Sequence, residues 1–258
     1  HMFPKPAWKE AWLRWEDSIL ANEGGDAEKL AEFRRVQAQD SAAADLRWNW
    51  NTPLVMSPHD PTVIYVAGNR VVKYTNRGEE HEVISGDLTY ADEEKILIST
   101  EETGGITKDL TGAETFATIV SLAESPITQG LLYAGTDDGN LWMSPNDGGE
   151  WIDLTGKLDG LVPDGTYVSR IEPSSHDANR FNVTMDNHRR GEFTPYVLVT
   201  DDGGDSFRSI SSDLPTGKPD FAHVIREDLK NPDLLFVGTD VGAYVSLNRG
   251  ESWQRFME

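Results

Sequence analysis

The chain has 258 residues, with 23 Lys+Arg against 44 Asp+Glu for a formal charge of −21, no Cys, 23 Gly, 13 Pro and 38% hydrophobic residues. Without Cys there is no disulfide framework and no thiolate zinc site, and the negative charge repels phosphate backbones, which argues against nucleic acid as a partner. No apolar run reaches the roughly 18 residues of a spanning helix, so no membrane insertion is expected.

His1-Met2 reads as a tag remnant and Phe3 onward as an internal start. Residues 5–40 carry helical periodicity. Trp8, Trp12, Trp15 and Ile19 recur at spacings of three and four. Asn22-Glu23-Gly24-Gly25 breaks that pattern, and Asp26 can cap a second segment running to about Gln39. Residues 1–46 are therefore expected to form a helical segment that packs its aromatic stripe on the remainder, 47–258.

From Arg47 the texture changes to short apolar runs such as Val63-Ile64-Tyr65-Val66 and Leu131-Leu132-Tyr133-Ala134, separated by Gly, Asn, Asp and Pro, the pattern of short antiparallel strands. One turn recurs in the form Ser/Thr-x-Asp/Asn-x-Gly-x-x-aromatic. It is carried by Ser144, Asn146, Gly148 and Trp151, by Thr200, Asp202, Gly204 and Phe207, and by Ser246, Asn248, Gly250 and Trp253. A worn copy keeps Asn76 and Gly78 but has Tyr74 and His81 at the outer positions. In such a hairpin the Asp or Asn accepts backbone N–H bonds across the turn and Gly supplies a positive φ. The equivalent Asn/Asp positions lie 70, 56 and 46 residues apart, the longest interval containing an insertion at about 90–112. A four-stranded unit repeating at about 40–50 residues marks a β-propeller blade. The expected fold is all-β, with blades at about 48–88, 115–156, 166–214 and 221–257.

These turns are similar to the Asp-boxes, or BNR repeats, of sialidases, sortilin-type Vps10 domains, xyloglucan-degrading propellers and photosystem assembly factors. The chain most resembles large bacterial sortilin-like or BNR-repeat glycosyl hydrolases. The resemblance runs over about 47–257, through Arg47-Trp48-Asn49-Trp50-Asn51-Thr52-Pro53, Val168-Ser169-Arg170-Ile171-Glu172-Pro173 and Val224-Ile225-Arg226-Glu227-Asp228. It implies a fragment of a longer protein, and a secreted or periplasmic setting. It fixes function poorly, because the boxed turn lies on a blade's outer edge.

Phosphate-loop, His-Glu-x-x-His and Gly-x-Ser-x-Gly signatures are missing, and no cofactor is expected. Glycoside hydrolysis needs two carboxylates about 5–9.5 Å apart. The innermost strands offer Glu124, Glu172, Glu227 and Asp228, with Arg170 and Arg226 as ligands for an anionic or hydroxylated substrate; the competing reading is ion pairing between blades. Trp48 and Trp50 alternate with Asn49 and Asn51, which reads either as a sugar platform or as interblade packing. Asp201-Asp202-Gly203-Gly204-Asp205 lacks the later bidentate Glu of a calcium loop, so no metal is expected. His176, His188 and His223 have no metal-ligand spacing and read as surface or satisfied histidines. Three functions stay open: a scaffold or binding module for a protein, peptide or glycan, a glycoside hydrolase, and a structural part of a larger propeller. Open blade edges also allow self-association.

Overall fold

A computed structural model describes residues 46–97, 115–216 and 220–256. The expected helices before residue 46 and most of the 90–112 insertion lie outside the described residues. The part of the insertion that is described holds a one-turn helix, Glu93–Leu97.

Among the described residues, sixteen strands form four antiparallel sheets of four, each taken in chain order. The first holds β1 (Leu54–Met56), β2 (Ile64–Ala67), β3 (Val71–Thr75) and β4 (Glu80–Val83). The second holds β5 (Ile119–Glu124), β6 (Leu132–Thr136), β7 (Leu141–Ser144) and β8 (Ile152–Asp153). The third holds β9 (Tyr167–Pro173), β10 (Phe181–Asp186), β11 (Tyr196–Thr200) and β12 (Arg208–Ser209). The fourth holds β13 (Ala222–Glu227), β14 (Leu235–Thr239), β15 (Ala243–Ser246) and β16 (Gln254–Arg255). These are blades of a β-propeller.

Strand alternation sends one side chain set to each face of a sheet, and here both faces of the middle sheets are covered. Tyr65, Ala67 and Val71 meet Leu122, Leu132 and Ala134 between the first and second sheets. Tyr133 and Leu141 meet Val168, Ile171, Phe181 and Val183 between the second and third. Val197 and Val199 meet Ile225, Leu235 and Val237 between the third and fourth. β10 is buried along its whole length because it lies in the third sheet, between two neighbours.

The repeated turn uses the same bonds three times. Ser144 Oγ, Thr200 Oγ1 and Ser246 Oγ accept from the N–H of Gly148, Gly204 and Gly250 at 2.8, 2.9 and 2.8 Å. Asn146, Asp202 and Asn248 Oδ1 accept from the N–H of Glu150, Ser206 and Ser252 at 2.8, 3.0 and 3.0 Å. The Ser206 hydroxyl and N–H, with Thr200, hold Asp202 down at a pKa of about 2. The turn also joins sheets. A methyl on Gly148 would stand 2.6 Å from Ile84 Cβ in the first sheet, and one on Gly250 2.7 Å from Ile210 Cδ1 in the third. The Trp151 and Trp253 indoles donate to the carbonyls of those same residues, Ile84 and Ile210, at 2.9 and 2.6 Å.

Candidate functional site

β-Bulges occur at the leading ends of β5, β9 and β13. In each the register against the second strand skips one residue: Val120, Ser169 or His223. A bulge re-aims the residue that it leaves unpaired. Ser169 and His223 both face a cavity of about 240 Å³ that draws its walls from the second, third and fourth sheets.

Asp137 follows β6, and Asp186 ends β10. His188, Arg189 and Arg190 form the 3-10 turn after β10, and Tyr167 begins β9. All six line the cavity. Asp137 is nearly buried and accepts from Thr118 N–H at 2.7 Å and Thr118 Oγ1 at 2.9 Å. Burial pushes its pKa up to about 7 against those bonds, aided by the neighbouring Asp138. Asp186 accepts from the His188 N–H at 2.8 Å and pairs with His188 Nδ1 at 2.7 Å. The His188 ring stacks on Phe221 at 4.4 Å, and Phe221 meets His223 edge-on at 4.6 Å. The Arg189 guanidinium lies 5.4 Å over the Tyr167 ring. Two carboxyls, two imidazoles and two guanidiniums thus converge on one recess. A neighbouring cavity of about 250 Å³ shares its Gly165 wall and adds Asp153, Asp159 and Asp164.

The residues proposed from sequence fall elsewhere. Glu124 and Glu227 end the first strands of their sheets, at the far end from the bulges. Glu124 Oε1 accepts from Gly130 N–H at 2.8 Å, and Glu227 Oε2 accepts from Ser174 Oγ at 2.7 Å and Ser175 N–H at 2.8 Å. Asp228 Oδ1 accepts from the N–H groups of Lys230 and Asn231, both at 2.9 Å, and these hold its carboxyl below the usual range. Glu172 pairs with Arg170 at 3.4 Å and, across the sheet boundary, with Arg226. Burial and the Arg226 charge pull Arg170 below the usual guanidinium range. The geometry therefore joins Glu172, Arg170 and Arg226 into one ionic group, while Glu124, Glu227 and Asp228 each tie down a turn. None of these side chains lines the cavity.

Trp48 and Trp50 are 38% and 74% exposed. Asn49 Nδ2 donates to Thr118 Oγ1 at 3.1 Å, and its Oδ1 accepts from Asn51 N–H at 3.0 Å. Thr118 in turn holds Asp137, so this tryptophan-asparagine segment is hydrogen-bonded to the cavity wall through a single hydroxyl. The sequence did carry a signal for the cavity. Gly135-Thr136-Asp137 and Gly238-Thr239-Asp240 repeat, and both acids come to the leading end of a first strand, with Asp240 lying 3.6 Å from His223.

Replacing Glu227 with Ala should leave the buried Ser174 hydroxyl and the Ser175 N–H without an acceptor, at a cost of about 2–3 kcal/mol in urea unfolding. Cavity ligands should bind this variant as they bind the wild type.

No protein-family model and no curated protein matches the sequence. Among solved structures, the chain is similar to an ancestral GH74 enzyme, at 18% identity over 83% of this chain and 25% of that one, TM-score 0.57. It is also similar to the GH74 xyloglucanase of Xanthomonas campestris, at 15% identity over 79% and 29%, TM-score 0.56. A third is the GH74 enzyme of Niastella koreensis, at 15% identity over 78% and 28%, TM-score 0.52. The chain spans between a quarter and a third of the length of these enzymes. Identities this low carry the propeller fold and nothing further.

Proposed function

We propose that this chain is the ligand-binding part of a sortilin-like, BNR-repeat propeller, and that a glycan is its ligand. The observation that carries this reading is the recess where Asp137, Asp186, His188 and His223 meet at the leading ends of three first strands. A sugar ring needs several directional acceptors and donors in a small volume, with an aromatic surface alongside. The recess supplies the polar groups, and the Tyr167 ring on its wall supplies aromatic surface. The resemblance to secreted and periplasmic proteins fits a glycan ligand.

Calorimetric titration with a panel of neutral and acidic oligosaccharides tests the reading. Wild-type protein should bind at least one of them, and Asp186→Ala should weaken that binding by about tenfold or more, as expected when a buried partner of the ligand is lost. Absence of binding across the panel, or unchanged binding by the variant, would sink it.

A second reading, glycoside hydrolysis, is favoured by one feature: the nearly buried Asp137 lines the recess, and burial raises its pKa to about 7, toward what a general acid requires. It predicts release of reducing ends from a bound oligosaccharide, abolished in Asp137→Asn. Binding without any release leaves the module reading alone.

A further inference from the structure

Three times in this chain, one sheet docks on the next through the same joint. The residue after a fourth strand receives the turn glycine of the following sheet: Ile84 receives Gly148, Leu154 receives Gly204 and Ile210 receives Gly250. Each receiving residue is fixed by its own N–H, which donates to a third-strand carbonyl: Ile84 to Val71, Leu154 to Leu141 and Ile210 to Val197, at 2.9, 2.8 and 2.8 Å. At the other end of the joint a histidine bridges sheets, His59 to the Ser125 carbonyl and His176 to the Asp228 carbonyl, both at 2.8 Å.

Among the described residues, each half of the joint occurs once more without its mate. Phe256 donates to the Ala243 carbonyl at 2.8 Å, which places it where Ile84, Leu154 and Ile210 stand, yet it is 53% exposed. Gly78 is the turn glycine of the first sheet, and nothing lies within 4 Å of where its Cβ would be. On the first strand of the same sheet, Leu54 and Met56 are 67% and 60% exposed, on the face that in the second sheet carries the buried Leu122. Beside Phe256, Phe236 meets it edge-on at 5.8 Å, at the position where Tyr133 is buried in the second sheet. Lys230, a donor, stands where His176 bridges in the third sheet.

We propose that a second copy of this chain covers these faces, head to tail. The Phe256 face of one copy receives the Gly78 and Leu54 face of the next, in the joint already used three times within the chain. The observation behind this choice of occupant is that both missing halves are on the same chain and match each other. A joint of this kind is heterologous, with unlike faces meeting. Because each copy carries −21, added salt should strengthen the association by screening repulsion.

Sedimentation equilibrium up to about 100 μM protein, a range that detects micromolar joints, tests this at low and high salt. Wild-type mass should rise from 28.7 kDa toward twice that value, and further at high salt. Phe256→Glu and Leu54→Glu should each stay at 28.7 kDa with unchanged melting curves, since both side chains are exposed. An equimolar mixture of the two variants should associate again, because one undamaged face of each remains and the two are complementary. A wild type that stays monomeric, single variants that still associate, or a mixture that stays monomeric would each overturn the proposal. The first of these is also the result expected if another protein or a longer natural chain supplies the covering sheet.

Discussion

Replacing Gly148 with Ala should cost about 3–5 kcal/mol, most of the stability of a typical domain, whereas the same change at Gly78 should cost about 1 kcal/mol. The two glycines share a conformation, with φ of +87° and +92°, so the backbone penalty of a Cβ is common to both. They differ in what the Cβ meets. At Gly148 it would lie 2.6 Å from both the Cβ and the carbonyl oxygen of Ile84, atoms that do not rotate away. At Gly78 it would meet open space. Gly204 and Gly250 should fall between, because their Cβ atoms would first meet the movable tips of Leu154 and Ile210. Urea unfolding of the four variants measures the series. Equal losses at Gly148 and Gly78 would mean that the turn glycine serves only its own hairpin and not the joint between sheets.

A second large effect is a pH dependence centred on Asp137. Its pKa rises from 3.8 to about 7 because burial disfavours the ionised form. Between those values the folded chain holds a proton there that the unfolded chain has released, so stability falls as pH rises through that window. About three pKa units correspond to roughly 4 kcal/mol at full effect. Asp137→Asn removes the titration while keeping an acceptor for Thr118 N–H. The variant should therefore gain on the wild type by about 2–3 kcal/mol between pH 5 and pH 8. The exposed carboxyls held low by their turns, Asp60, Asp202 and Asp228, act in the opposite sense but are common to both proteins and cancel in the difference. Parallel stability profiles for the two proteins would rule out a neutral Asp137 in the folded state.

The four blades were legible because each is announced by local chemistry. Asn146, Asp202 and Asn248 sit two residues before a turn glycine, and apolar alternation on either side marks the strands. The worn turn at Asn76 also joins two strands of a sheet, although it lacks both the hydroxyl and the aromatic. The cavity was harder to read because its residues are distant in sequence and meet only through three bulges. A bulge is one unpaired residue in a ladder, and nothing in Val168-Ser169-Arg170 or Ala222-His223-Val224 distinguishes it from ordinary alternation. Strict alternation put Arg170 and Glu172 on one face, and the two do pair. It could not show that Arg226 reaches across from the next sheet to the same carboxylate. His188 reads as a surface or satisfied histidine in sequence, and only the fold names its partners, Asp186 and Phe221.

Among the described residues, the apolar clusters each join one sheet to the next, as in a linear array whose stability is shared among neighbours. The second and third sheets are clamped from both sides, while among the described residues the fourth packs its apolar face on the third. The recess takes Asp137 and Asp186 from the clamped pair and His223 from the fourth sheet. Brief detachment of the fourth sheet would thus remove one wall of the recess and leave its acidic floor standing. Ligand affinity and the cohesion of the fourth sheet are then two readings of one equilibrium: whatever steadies that sheet sharpens recognition, and a bound ligand holds the sheet in place.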